Sequence, residues 1–234
     1  MAIPTMDFPR LTAYLAALAE NNEKAWFEAH RAEYQALRDD FTALVGDVIA
    51  RISEFDDRIR WLDPASCLFR IHRDVRFSRG KQPYKTTFAA SISEGGRRAE
   101  GPGYYFEVTE KGEMWLGGGV YMPEPARLER IRRHIADHPE KLRKVLRKKG
   151  FKETFGEMWG ERLKRPPRGY AEDTPMIDVI KQKSFVLARE RDVGTETGDV
   201  LPWMADTFRA MYPFLTWLRE AQEYTGDASD WRRG

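Results

Sequence analysis

The apolar and aromatic residues of this chain keep two different periods, and the change between them restricts the fold more than any other feature. Between residues 8 and 52 they recur at steps of three and four. Phe8, Leu11, Leu15 and Leu18 come first, then Phe27, His30, Tyr34, Leu37, Phe41, Leu44 and Val48. That spacing predicts one buried stripe on a first helix and another on a second helix running over residues 23–52. Asp7 stands where it caps the first helix, with Pro9 tolerated in its first turn. Glu20-Asn21-Asn22 ends it, and Asn22 is placed to cap the second.

From Cys67 onward the period becomes two. "CLFRIHRDVRF", "TTFAASIS", "GYYFEVTE" and "EMWLGGGVYM" each read as a strand, the last two joined by a tight turn at Glu110-Lys111-Gly112. Gly117-Gly118-Gly119 inside the fourth run signals a bulge or a close backbone approach. "EGGRRAEGPG" reads as a mobile polar loop. Helical signals then return: Pro125 opens a helix to Asp137, and Pro139 opens another that Gly150 ends. Thr174-Pro175 begins a short helix, "SFVLARE" reads as a fifth strand, and a last helix starts near Asp199, with Pro213 expected to kink it. Helices, strands and helices in that order predict one α+β domain over residues 1–234, its antiparallel sheet packed by long helices mainly on one face. The expected parts are helices 8–52, a sheet region 68–121, helices 125–149, and a strand and helix over 184–223.

Charge narrows the function. The net charge is +2, but residues 70–85 carry six Lys/Arg against Asp74, and residues 127–152 carry eleven against three acids. The remainder is therefore at −11, the difference between +2 overall and +13 in the two segments. The second segment reads as solvated helix faces. In the first, strand alternation puts Arg70, His72, Asp74 and Arg76 on one face, neighbours roughly 6.6 Å apart. Arg73 falls on the other face, where Glu33 or Asp40 is its expected partner. The turn that follows adds Ser78, Lys81, Tyr84 and Lys85, shaped by Gly80 and Pro83. Arg forks and Lys amines in this pattern suit phosphate or carboxylate. The expected ligand-binding residues are thus Arg70, Arg76, Ser78, Lys81, Tyr84 and Lys85, with Tyr104, Tyr105 and Trp115 near enough in sequence to stack on bases.

It is at "RDVRFSRGKQPYKT" that the chain resembles a known family, the domain of unknown function 2461 family. The shared run is carried by Arg73, Asp74, Arg76, Phe77, Ser78, Lys81, Pro83, Tyr84 and Lys85. "NNEKAWFEAHRAEY", "GGGVYMPE", "LKRPPRGY" and "MYPFLTWL" extend the resemblance over nearly the whole chain. Gly80 departs from it, since members often carry an acid or Asn there. The resemblance implies a one-domain α+β protein and brings no activity.

Three uses of the basic strand follow. It binds a phosphorylated small molecule or a nucleic acid, the first expectation. Alternatively it belongs to an enzyme acting on a phosphate-bearing substrate, with His72 and Asp74 as the acid–base pair. The third use is an interaction domain for an acidic partner. Other chemistries lack their residues. Gln82 stands where a phosphate loop needs Ser or Thr, and no dinucleotide fingerprint surrounds the three glycines. Lone Cys67 cannot build a zinc site, and His134 and His138, one turn apart, read as a polar helix face. No metal and no cofactor is expected. A single cysteine, the absence of a long apolar run and the lack of a secretory layout at the start predict a cytoplasmic chain with no membrane partner.

Overall fold

The computed structural model describes residues 6–74, 82–148, 150–195 and 199–226. Helix α1 (Phe8–Glu20) begins where Asp7 accepts the Arg10 N–H at 2.9 Å, with Pro9 in the first turn. The stripe that follows is carried by two helices. α2 (Lys24–Ala29) and α3 (Arg31–Ile52) break at His30, whose Nδ1 lies 2.8 Å from the Trp26 carbonyl. A side chain that competes for the helix's own carbonyl loosens the turn there. Asn22 caps neither helix. Its side chain reaches Tyr84 instead, donating to the carbonyl at 3.1 Å and accepting from the N–H at 3.0 Å.

A short helix α4 (Pro64–Cys67) precedes strands β1 (Thr87–Ile92), β2 (Gly103–Thr109) and β3 (Glu113–Val120). Helices α5 (Pro125–Asp137), α6 (Pro139–Leu146), α7 (Phe151–Phe155) and α8 (Ile177–Ile180) come next. Strand β4 (Phe185–Asp192) and helix α9 (Leu201–Glu223) complete the order. The strands form one antiparallel sheet in the order β1-β2-β3-β4, and the fold is α+β as expected. Two boundaries differ from expectation. α6 stops at Leu146, and Gly150 takes its left-handed turn at the start of α7 rather than as the end of α6. The run 67–77 forms no regular strand in its described part, residues 67–74.

By their internal contacts the residues group into two compact units, with β3, β4 and α9 contributing to both. The first comprises residues 1–99, 104–116 and 189–209. Its core lies between the helical stripes and one face of β1 and β2. Phe41 of α3 meets Phe88 of β1 at 5.4 Å and Phe106 of β2 at 5.3 Å between ring centres. Register pairs Phe88 with Val108 and Ala90 with Phe106 on this buried face, and Ala89 with Glu107 and Ser91 with Tyr105 on the other. Ser91, Tyr105 and Glu107 are only half-buried.

The second unit comprises residues 100–103, 117–188 and 210–234. Ile131, Ile135, Leu142, Phe214 and Leu218 are fully buried in it. Gly118 and Gly119 of β3 mark the close approach that the glycine run implied. A Cβ on Gly119, at φ 143°, would stand 1.9 Å from the Phe185 carbonyl oxygen, and one on Gly118 would stand 2.6 Å from Met211 Sδ. Only glycine fits at 119, where the obstacle is backbone. Among the described residues no helix is long and apolar enough to cross a membrane.

Candidate anion site

The basic segment runs antiparallel to the chain entering β1, but not as one ladder. Two bridges hold it, His72 with Tyr84 and Leu68 with Ala90. Three residues between the bridges on one side, 69–71, oppose five on the other, 85–89, so a bulge of two residues lies on the side entering β1. Backbone bonds from Arg73 N–H to Pro83 O (2.9 Å), Lys85 N–H to Ile71 O (2.8 Å) and Phe69 N–H to Ala89 O (3.0 Å) fix the pairing. The bulge interrupts the pairing, so this segment makes isolated bridges and no regular strand. Leu68 and Ile71 are both buried although three residues apart, whereas Arg70, His72 and Asp74 are exposed as the alternation implied.

Of the expected ligand-binding residues, Arg70, Tyr84 and Lys85 can be placed. Arg76, Ser78 and Lys81, with Gly80, lie outside the described residues. Tyr84 packs inward, its ring stacked on Phe27 at 4.2 Å and 97% shielded from solvent. Arg73 pairs with neither Glu33 nor Asp40 among the described contacts; Glu33 meets Arg10 at 3.9 Å. Lys85 lays its amine over the Phe69 ring, 5.2 Å from the centre. Burial, then the charges of Arg70, Arg73 and Arg97, hold that amine below the usual lysine range, and among the described residues Glu107 pulls the other way. The charges of three arginines thus act on one half-buried amine.

Arg97 was not expected here. It comes from "EGGRRAEGPG", read as a mobile loop, which contains a single 3-10 turn over Gly96–Arg98. Buried Gly96 brings that turn against Ser66: a Cβ on it would stand 3.1 Å from Ser66 Oγ. Arg97 donates to the Ser66 carbonyl at 3.1 Å. Glu107 was missed as well. It accepts from the Tyr105 hydroxyl at 2.6 Å, and burial together with that bond raises the Tyr105 phenol far above its ordinary value. The β1–β2 register that aligns Glu107 with Ala89 was the signal available in the sequence for it. For Arg97 there was none, because a loop's path is not periodic.

His72 sits at the opposite end of the paired segment. Its ring lies 5.2 Å from Tyr84 and 6.1 Å from Phe27. An acid that the sequence did not suggest stands within electrostatic reach. The Glu28 carboxyl is lowered chiefly by its hydrogen bond from Arg31, with further contributions from the charges of Arg31, Lys24 and His72. Glu28 thus joins Asp74 as a neighbour for the imidazole.

The second basic segment is not simply a solvated face. Arg132 is buried, donating to the carbonyls of Ile180 (2.9 Å) and Gln182 (3.2 Å), and Arg130 donates to Gln222 O at 2.6 Å. Arg127 bonds Glu100, Lys141 bonds Glu220 and Arg143 bonds Glu140. His134 corrects the polar-face expectation: it is 1% exposed, its Nε2 stands 3.6 Å from Glu220 Oε1, and neither ring nitrogen has a hydrogen-bond partner among the described residues. His138, Trp217 and Tyr224 surround its ring at 5.2–5.7 Å.

No curated protein and no solved structure matches the chain. A family model described as "Conserved hypothetical protein (DUF2461)" matches residues 10–217, a span that holds Glu28, the paired segment, Arg97 and Glu107. With the match extending over most of its length, the chain belongs to the domain of unknown function 2461 family.

Proposed function

We propose that this protein binds a phosphate-bearing anion at Arg70, Arg73, Lys85 and Arg97. The observation that carries this reading is the half-buried Lys85 amine, laid over the Phe69 ring and acted on by the charges of Arg70, Arg73 and Arg97, with Glu107 opposing them among the described residues. Like charges gathered this way cost stability, and a bound anion offsets that cost. Arginine forks and an amine suit phosphate oxygens in particular. The class extends from a phosphorylated small molecule to a nucleic-acid backbone.

A second reading is favoured by one observation, the exposed His72 ring with Glu28 close enough to interact. In it, His72 acts as general acid or base on the same ligand, oriented by Glu28 or Asp74, while the cations stabilise developing negative charge.

Calorimetric titration with tripolyphosphate at low and at high salt tests the binding. Arg97→Ala should weaken it about tenfold or more, the loss of one charge-assisted contact. Arg143→Ala on α6 should leave it unchanged. Equal and weak binding by all three proteins would defeat the anion site and leave the basic segment as structure.

A further inference from the structure

A strip of aromatic side chains adjoins the cations. From the Lys85 amine it is 5.2 Å to the centre of the Phe69 ring. From Phe69 it is 6.0 Å to Tyr105, and from Tyr105 it is 5.7 Å to Trp115. Both ring pairs meet at 67°, edge against face. All three rings are half-buried, while their strand neighbours Tyr104, Phe106, Met114 and Leu116 are fully buried on the helix-covered side. The core is therefore already supplied with aromatics, and these rings stand outside it.

Glu107 is the second feature that a bare phosphate does not explain. Its carboxylate lies within reach of the Lys85 charge, where it repels any anion that arrives. One oxygen accepts from Tyr105, and the other has no hydrogen-bond partner among the described residues. That oxygen can accept a donor that a ligand brings.

We infer that the ligand is a nucleobase-bearing phosphate, its phosphates at Lys85 and Arg97, its base on Tyr105 and Trp115, and a sugar hydroxyl or base amine on Glu107. This rests on the anion-site reading and goes beyond it by naming what the phosphate is attached to. Every base has a face that stacks on an aromatic ring, so the strip accepts the class rather than one base. The source is a free nucleotide or a single strand, which share this chemistry.

The test compares tripolyphosphate, ATP and a short single-stranded RNA by calorimetry. ATP should bind about tenfold tighter than tripolyphosphate, within the range that one stacked base contributes. Trp115→Leu should remove that advantage and leave tripolyphosphate binding as it was. Tyr105→Leu serves as a second variant should Trp115→Leu not fold. In the unaltered protein, ATP and not tripolyphosphate should quench tryptophan emission. Tighter RNA binding that falls steeply with salt would identify a strand, and tighter ATP binding with a shallow salt response a nucleotide. Equal affinity for ATP and tripolyphosphate would overturn the base and leave the anion site standing. Binding of none of the three probes would overturn both.

Discussion

Residues 70–85 and 127–152 look alike as sequence, each a dense run of Lys and Arg on an acidic chain. In the fold they are opposites. Arg127, Arg130, Arg132, Lys141 and Arg143 are each engaged by a carbonyl or a carboxylate, and Arg132 is buried in the process. Arg70, Arg73 and Lys85 are joined by Arg97, and the electrostatic influences on the Lys85 amine come mainly from other cations. A charge count along the chain reports how many cations there are. It does not report whether the fold gives them acceptors or sets them against other cations, and that difference separates a structural segment from a candidate binding site.

The contrast can be broken by mutation, and the largest effect should come from the segment whose cations already have acceptors. Arg132→Ala leaves the Ile180 and Gln182 carbonyls without their donor and should destabilise by about 3 kcal/mol in a denaturant melt. A change below about 0.5 kcal/mol would mean that this arginine is as surface-like as its sequence suggested.

His134, in the same segment, should add an acid-sensitive component. Burial is the main influence on its imidazole, with the Lys141 and His138 charges in the same direction and Glu220 opposing. Their balance holds its pKa below the ordinary 6.5. The folded value lies below the unfolded one, so on acidification the unfolded chain takes up the proton first. Stability should fall as pH drops through about 6.5, by no more than about 1.4 kcal/mol per unit. Melts of the parent and His134→Phe between about pH 7.5 and about pH 5.5 would show it as a steeper loss in the parent. Equal slopes would exclude His134 as the source.

The smallest effect should have the opposite sign. Lys85→Met removes one charge from the crowded cluster, so it should stabilise the protein by roughly 0.5 kcal/mol while weakening anion binding. Destabilisation on that scale or larger would show that Lys85 is held by structural partners after all.

The elements read from periodicity were largely those found. α1 with its Asp7 cap, the stripe from Phe27 to Val48, β1 to β3, α5 and the close approach at Gly118 and Gly119 follow from spacing and backbone sterics. What spacing missed is non-periodic. A two-residue bulge between the bridges at His72 and Leu68 is invisible to an alternation rule, because residues on both sides of it still look strand-like. The break at His30 depends on a side chain turning back to its own helix. Local capping is the common use of Asn, whereas the contact of Asn22 with Tyr84 spans 62 residues. For the candidate site, Arg70 and Lys85 were legible as a charge cluster, whereas Arg97 and Glu107 join them only through tertiary contact. Burial of His134 was likewise unreadable, since a helix with polar residues all round does not reveal what packs on it.

The central claim, that Arg70, Arg73 and Arg97 crowd Lys85 and await an anion, is tested most directly at the Lys85 amine. Its pKa can be followed by NMR of the Cε carbon, assigned with Lys85→Met, in the presence and absence of tripolyphosphate. It should titrate below the ordinary 10.5 in the free protein and shift upward when the anion binds, because the anion stabilises the charged form. For the same reason, affinity should decline as pH rises through the free-protein value. An amine that titrates at the ordinary lysine value and does not respond to the anion would contradict the account.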